Sequence, residues 1–482
     1  MINSRAIANI LGLLLMIEGI FILTALPVAL IYHEKDSYAI IISGLIVILC
    51  GGIPWLITWK SRLSISKKDG YIIVSAGWLL FSLFGALPFI ISGAIPSFTD
   101  ALFESISGFT TTGASILNDI ESMSHAMLYW RSLTQWIGGM GIIVLSLAIL
   151  PLLGIGGMQL FIAEVPGPSP DKLHPRIQGT AKRLWLIYFV FTILEIILLW
   201  LADMDLFDAI CHSFTTMATG GFSTKQASVA YWDSPYIHYI ITIFMFLAGT
   251  NFTLSYFAMH FRFRRVFRNE EFRYYLGFVL GFSLVITTIM VFKMDQMPEI
   301  SFRHSVFQVV SIMTTTGFIT SDYILWTPVL WFLIVILMFF GGSAGSTGGS
   351  IKIMRVLLIL KNSSLEFKRL IHPHAVIPVR FNHQMINPSI VTNVLAFVSF
   401  YILILVSGMI VMSALGYDLD TAFGSVATTL GNIGPGIGLV GPTDNFSHIP
   451  VFGKFFLSFL MLIGRLELFT VLILFTPEFW RK

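Results

Sequence analysis

Four stretches decide how this chain is read: Ser107-Gly108-Phe109-Thr110-Thr111-Thr112-Gly113-Ala114, Phe214-Thr215-Thr216-Met217-Ala218-Thr219-Gly220-Gly221-Phe222, Met313-Thr314-Thr315-Thr316-Gly317-Phe318 and Leu430-Gly431-Asn432-Ile433-Gly434-Pro435-Gly436. Taking Gly113, Gly220, Gly317 and Gly434 as counterparts, the spacings are 107, 97 and 117 residues. Self-similarity at long period signals a repeated structural unit. A single Thr-Gly pair is an ordinary turn or helix cap, but four in register define a plan.

Each motif sits in the same surroundings. A long apolar run comes first, then a half-apolar segment of about a dozen residues, the Thr/Gly stretch, and a second long run. The first unit reads Tyr71 to Ser92, Thr99 to Thr110, Thr111 to Ser115 and Met127 to Leu160. The second reads Leu184 to Leu201, Leu206 to Met217, Ala218 to Phe222 and Tyr236 to His260. The third reads Phe272 to Phe292, Arg303 to Thr314, Thr315 to Ile319 and Pro328 to Leu360. The fourth reads Ile390 to Leu415, Thr421 to Gly431, Asn432 to Gly436 and Val451 to Phe475.

These runs require lipid as solvent. Hydrophobic residues are 56% of the 482 positions and charged residues 11%, a composition outside the soluble range. About 20 apolar residues cross roughly 30 Å of hydrocarbon as a helix, and helices rather than open sheets satisfy their own backbone there. Ile7 to Ile31 is too long for a signal-peptide core and is expected to be a retained helix. With Tyr38 to Trp59 it forms an extra leading pair, which gives ten crossings.

Charge placement sets the orientation. Basic clusters fall at Lys60, Arg62, Lys67 and Lys68; at Lys172, Arg176, Lys182 and Arg183; at Arg262, Arg264, Arg265, Arg268 and Arg273; and from Lys352 to Arg380. The positive-inside rule makes them cytoplasmic. An even number of crossings then puts both termini inside, in agreement with Arg5, Arg481 and Lys482. The opposite loops carry acids, among them Asp100, Asp119, Asp208, Glu299, Asp322, Asp420 and Asp444, and an acidic mouth concentrates cations.

The expected fold is therefore an all-α integral membrane protein. Four pseudo-symmetric membrane-pore-membrane repeats surround a central pore, with four re-entrant loops and ten transmembrane helices. The expected divisions are 1–69 for the extra pair, then 70–180, 181–270, 271–385 and 386–482 for the repeats.

Glycine lets a short backbone segment adopt positive φ and turn its carbonyls toward an axis. Rings of carbonyls, with threonine hydroxyls beside them, replace the water shell of K⁺. The candidate filter residues are Thr111, Thr112, Gly113, Thr219, Gly220, Gly221, Thr315, Thr316, Gly317, Phe318, Asn432, Ile433, Gly434 and Pro435. The half-helices ahead of them would aim their partially negative C-termini at mid-membrane, which favours cations. Glu104, His212 and Gln308 within those helices are expected to brace the loops.

A second feature interrupts the third unit. Gly341-Gly342-Ser343-Ala344-Gly345-Ser346-Thr347-Gly348-Gly349 breaks an apolar run, and non-helical backbone at membrane depth must be buried in protein or line a cavity. It lacks the Gly-Lys-Ser/Thr ending of a phosphate cradle. Arg465, inside the run Phe455 to Phe475, carries a charge that must face the protein interior. Glu467 lies on another side of that helix and is not its expected partner. Arg131 and Lys454 are read as snorkelling at span ends, and Cys50 and Cys211 as core residues.

These four loops resemble those of the Trk/Ktr/HKT potassium transporters, and the leading pair and the Asn-Ile-Gly-Pro-Gly loop resemble the bacterial TrkH/TrkG-type K⁺ uptake subunits. The likeness covers essentially the whole chain. It implies a multi-pass protein of the bacterial inner membrane, homodimeric, regulated by a cytosolic nucleotide-binding ring similar to TrkA. K⁺ is the implied transported ion, and Rb⁺ and some Na⁺ are implied because the loops are degenerate beside the Thr-Val-Gly-Tyr-Gly of tetrameric channels. In the resembling family the broken helix restricts the pore below the filter, with a matching arginine beneath it. That makes Gly341 to Gly349 and Arg465 the expected gate. No organic cofactor and no nucleic-acid partner are implied.

Other classes fit poorly. Inverted-repeat transporters have halves of opposite topology, whereas these four units share one orientation. No His-Glu-x-x-His or other paired catalytic groups occur inside the spans, so an enzyme is not expected. Obligate coupling to H⁺ or Na⁺ stays open as an alternative to a gated, channel-like pore.

Overall fold

A computed structural model describes residues 2–60, 66–144 and 177–481. The later part of the expected run Met127 to Leu160 lies outside the described residues, as do Arg62, Lys172, Arg176 and Lys482. Among the described residues six helices are long and apolar enough to cross a membrane: Ser4–Ile31, Ser37–Thr58, Lys67–Ser92, Lys182–Leu201, Glu270–Met294 and Pro388–Ala414. Only 28–44% of each apolar window is buried in protein. The remainder, including Leu49, Leu56 and Ile57 on the second helix, faces outward, as lipid-facing helices require.

Local chemistry sets where these helices begin. Ser66 and Asp69 form a reciprocal capping box ahead of Lys67. The Asn269 side chain accepts from the Phe272 amide at 3.0 Å, and Asn387 accepts from the Ser389 amide at 3.0 Å before Pro388 opens its helix.

The first two long helices pack through glycine. A Cβ on Gly12 would sit 2.6 Å from the Gly51 carbonyl oxygen, and one on Gly19 would sit 2.9 Å from that of Gly44. Small residues let backbones approach where no hydrophobic driving force acts between helices. The pair docks on the rest through Glu34, whose carboxylate accepts from the His125 amide at 2.7 Å and the Ala126 amide at 3.0 Å.

Four short helices occupy the centre: Phe98–Phe109, Leu206–Met217, Pro298–Met313 and Leu419–Gly431. The third begins upstream of the expected Arg303, because Pro298 presets its first turn. Twelve residues give about 18 Å, roughly half a bilayer. Each carries an acid in its first turn, Asp100, Asp208, Glu299 and Asp420, where carboxylates complement the helix dipole. From Ala101 to Phe109 every residue of the first is buried.

The second long helices of the units are less regular than expected. Tyr236 to His260 is split into Pro235–Ala248 and Phe252–Met259, bent by 112°. Val451 to Phe475 is bent by 110° after Arg465, where Glu467 and Leu468 take φ of 58° and 48°. The third divides into Pro328–Leu337 and Ile353–Ile371 around the glycine segment. Among the described residues breaks therefore occur in three units, although glycine marks only one strongly. A two-residue hairpin ladder, Arg380–Phe381 with Gln384–Met385, is tied to the third unit by Glu270, which accepts from the Asn382 amide at 2.9 Å. Cys211 is buried, but Cys50 is exposed on its helix, because the surface there is apolar by solvent rather than by packing.

Candidate functional site

The four short helices end alike. The amides of Thr112, Gly220 and Thr316 donate at 2.8 Å to the carbonyls of Ser107, Thr215 and Ser311, and the Ile433 amide donates at 2.9 Å to Thr428. This sets the register. The preceding residues, Thr111, Thr219, Thr315 and Asn432, have φ of 50°, 54°, 61° and 53°, and the following glycines, Gly113, Gly221, Gly317 and Gly434, have φ of 80°, 76°, 84° and 98°. The second-loop counterpart of Gly113 is thus Gly221, one position beyond the Gly220 chosen from spacing. The Gly-Gly pair hid the shift.

Three β-branched threonines at positive φ are strained. Alternating left-handed residues with an ordinary one turns successive carbonyls to the same side, which ordinary extended chain does not do.

The loops close on each other. A Cβ on Gly113 would overlap the Gly220 carbonyl oxygen, one on Gly221 that of Thr316, and one on Gly317 that of Ile433. On Gly434 it would sit 2.9 Å from the Thr112 oxygen. Each glycine therefore faces the next loop's carbonyl, and the order one, two, three, four, one forms a ring. The oxygens that face the four glycines are backbone carbonyls, a ligand type that can replace the water shell of a monovalent cation.

Side chains brace the ring. Thr112 Oγ1 lies 2.8 Å from Thr110 Oγ1 and accepts from Asn432 Nδ2 at 2.9 Å, which joins loop one to loop four. Thr316 Oγ1 meets Thr314 Oγ1 at 2.7 Å. Glu104 accepts from the Ile116 amide at 2.9 Å and from Ser115 Oγ at 3.0 Å. Arg131 Nε donates to Glu104 at 2.7 Å, its Nη1 donates to the Ser223 carbonyl at 2.9 Å, and its guanidinium lies 3.5 Å from the Phe222 ring centre. One ion pair thus clamps the outer ends of loops one and two. His212 Nε2 meets Ser223 Oγ at 2.9 Å, and Gln308 reaches the Phe318 carbonyl at 3.5 Å. Phe318 turns its ring into the core beside His212, while Pro435 lines a depression that opens outward from all four glycines past Lys225 and Asp444.

On the other side of the ring lies the glycine segment. The Gly349 amide donates to Thr315 Oγ1 at 2.6 Å, and Thr347 Oγ1 donates to the Met217 carbonyl at 3.1 Å. A Cβ on Gly348 would sit 2.8 Å from the Thr314 carbonyl oxygen, and one on Gly349 would overlap that of Gly431. The segment therefore touches the C-terminal ends of the second, third and fourth short helices. Gly341 donates to the Ile351 carbonyl and Ser343 to that of Gly249, both at 2.8 Å. Ala344 donates its amide to Glu271 at 2.8 Å, Gly345 accepts from the Phe252 amide at 3.3 Å, and Ser346 Oγ turns back to the Ser343 carbonyl at 2.6 Å. Gly342, Ser343, Thr347, Gly348 and Gly349 are buried.

Arg465 points at this segment. It ends the helix Val451–Arg465 and donates to the Thr347 carbonyl at 2.7 Å and the Gly138 carbonyl at 3.3 Å.

Comparison with known proteins shows the family. The sequence profile of the family described as "TrkH: Cation transport protein" matches residues 36–482. The chain belongs to the TrkH family of cation transport proteins. It is 43% identical over 485 residues to the Trk system potassium uptake protein TrkH of Escherichia coli K12, with 100% of both chains covered. It is 37% identical to TrkG of the same organism, covering 100% of this chain and 99% of that one. The crystal structure of the potassium transporter TrkH from Vibrio parahaemolyticus superposes with a TM-score of 0.91 at 38% identity, with both chains fully covered. The family resemblance read from the loops holds, the chain is a multi-pass membrane protein, and it is not an enzyme.

Within this TrkH-family chain, some side chains lie elsewhere than expected. Arg131 does not snorkel, since it is 2% exposed and paired with Glu104. Lys454 is also buried, donating to Asp100 at 2.5 Å and to the Ser447 carbonyl at 2.9 Å. Both side chains turn inward to buried partners rather than along the outer surface of their helices. Glu467 pairs with Arg355 at 2.6 Å, in agreement with the expectation that Arg465 is not its partner. Sequence reading missed Gln135, whose Nε2 donates to the Gly220 carbonyl at 2.7 Å and whose Oε1 accepts from the Phe222 amide at 3.1 Å. Its signal was available, because Arg131 and Gln135 are polar residues one helical turn apart inside an apolar helix.

Proposed function

We propose that this chain takes up K⁺ across the bacterial inner membrane through a filter formed by the four loops, gated by Gly341 to Gly349 with Arg465. The reading rests chiefly on the closed succession of glycines and neighbouring carbonyls, Gly113 to Gly220, Gly221 to Thr316, Gly317 to Ile433 and Gly434 to Thr112. A ring of that kind strips and replaces the hydration shell of a K⁺-sized ion. The relatives named above as potassium uptake proteins support the choice of ion.

Ten crossings follow if the helix starting at His125, the broken third-unit pair and the two bent pairs each count as one span. The basic clusters then lie inside together with both termini. On this reading the divisions 1–69, 70–180, 181–270, 271–385 and 386–482 are the leading pair and the four repeats. The glycine segment lies across the inner side of the ring and is held there by hydrogen bonds, so it blocks permeation until displaced. A homodimer and a cytosolic nucleotide-binding ring similar to TrkA complete the assembly, with the hairpin at Arg380 to Met385 on the receiving face.

Purified protein in liposomes tests this. K⁺ flux down its own gradient without an imposed proton gradient is expected, exceeding Na⁺ flux. Flux only when protons or Na⁺ flow with K⁺ would instead establish obligate symport.

A further inference from the structure

At one register position the second loop stands apart from the other three. Thr112, Thr316 and Ile433 each place a side chain behind the ring, whereas the second loop has Gly220 there. The space is not vacant. The three atoms nearest to a Cβ built on Gly220 all belong to the Gln135 carboxamide, which comes from the long helix of the first unit, His125–Val144.

The amide does more than fill volume. Its Nε2 donates to the Gly220 carbonyl at 2.7 Å, and its Oε1 accepts from the Phe222 amide at 3.1 Å. A carbonyl can only accept and an amide N–H only donates, so these partners fix which end of the side chain is which. The two bonds straddle Gly221, whose φ is 76°. Gln135 is fully buried, so water cannot substitute for either bond. Among the described residues no side chain from another unit brackets Gly113, Gly317 or Gly434 in this way.

We propose that Gln135 is a specificity-determining positioning residue, the trans-supplied side chain of the second loop, which fixes the aim of the Gly220 carbonyl and so sets the ring's size for K⁺ over Na⁺. This rests on the filter reading above. Gly-Gly is the most pliable pair in the ring, and without the amide its carbonyl can follow a smaller ion inward, which removes the size discrimination. The donated hydrogen bond also polarises that one carbonyl, so the ring's oxygens are unequal.

The test uses the full-length protein in liposomes, with K⁺ and Na⁺ as the probes and flux normalised to inserted protein. Gln135→Met keeps the volume and loses both bonds; K⁺ flux persists and the K⁺/Na⁺ permeability ratio falls several-fold. Gln135→Leu, which likewise fills the space and makes neither bond, lowers the ratio too and stands in if the methionine variant does not fold. Gly220→Thr alone collides with Gln135 and loses flux. Combined with Gln135→Ala it moves the side chain from trans to cis, and selectivity recovers.

A folded Gln135→Met or Gln135→Leu protein with an unchanged ratio overturns the assignment, as does a double variant no better than Gly220→Thr. Gly221→Ala separates the two readings. If it changes selectivity while the Gln135 variants do not, only the role of Gln135 falls; if none of them changes selectivity, the filter reading falls with it.

Discussion

Arg465 donates from Nη1 to the Thr347 carbonyl at 2.7 Å, joining the end of the last long helix to the glycine segment 118 residues earlier. Thr347 in turn donates from Oγ1 to the Met217 carbonyl at 3.1 Å. Arg465, the segment and the second short helix thus form one hydrogen-bonded chain beneath the ring. A buried guanidinium with Nε unpartnered is expensive, and the carbonyls of Thr347 and Gly138 offset part of that cost.

Arg465→Gln removes a charge-assisted bond worth about 1.5–3 kcal/mol, which corresponds to roughly tenfold or more in the balance between blocked and open states. The expected outcome is a higher unstimulated K⁺ flux in liposomes at unchanged K⁺/Na⁺ ratio. Lower flux from well-folded protein would count against the segment as a barrier.

Glu271 holds the same segment from another helix by accepting from the Ala344 amide at 2.8 Å, while the adjacent Glu270 binds the hairpin through the Asn382 amide at 2.9 Å. Glu271→Ala should therefore also raise basal flux. If its flux matches the unaltered protein, this contact is not among those that hold the segment in place.

The register shift separates two neighbouring glycines. Gly221→Ala forces an L residue to φ 76° and pushes a Cβ into the Thr316 carbonyl, whereas Gly220→Ala meets only the flexible end of Gln135. K⁺ flux from Gly221→Ala should fall much further than from Gly220→Ala. The reverse ranking would restore the spacing-based register.

Arg131 and Glu104 are both removed from solvent. Arg131→Met leaves a buried carboxylate without its partner, a cost of about 3–5 kcal/mol, and the double variant with Glu104→Gln should recover part of it. Thermal unfolding in detergent measures this cycle. A double variant whose loss equals the sum of the two single losses would show that the pair is not coupled.

The apolar runs and the four short helices with their Thr/Gly ends were legible because hydropathy and period are written residue by residue. What was not legible depends on contacts between distant segments. The register of loop two is set by the Gly220 amide bonding Thr215, and Gly-Gly spells either answer. Arg131 and Lys454 look like span-end cations until Glu104 and Asp100 are brought to them. The bend at Glu467 and Leu468 holds no glycine or proline itself, and Gly464 just before it is its one local mark.

The central claim, that four loops gather their carbonyls around one monovalent cation, is tested most directly by anomalous scattering from crystals grown with Tl⁺ or Rb⁺ in place of K⁺. The account predicts a peak on the axis bounded by the carbonyls of Thr112, Gly220, Thr316 and Ile433, lost on adding excess K⁺. A well-diffracting crystal with no peak there, or with its cation bound at side-chain carboxylates instead, would contradict it.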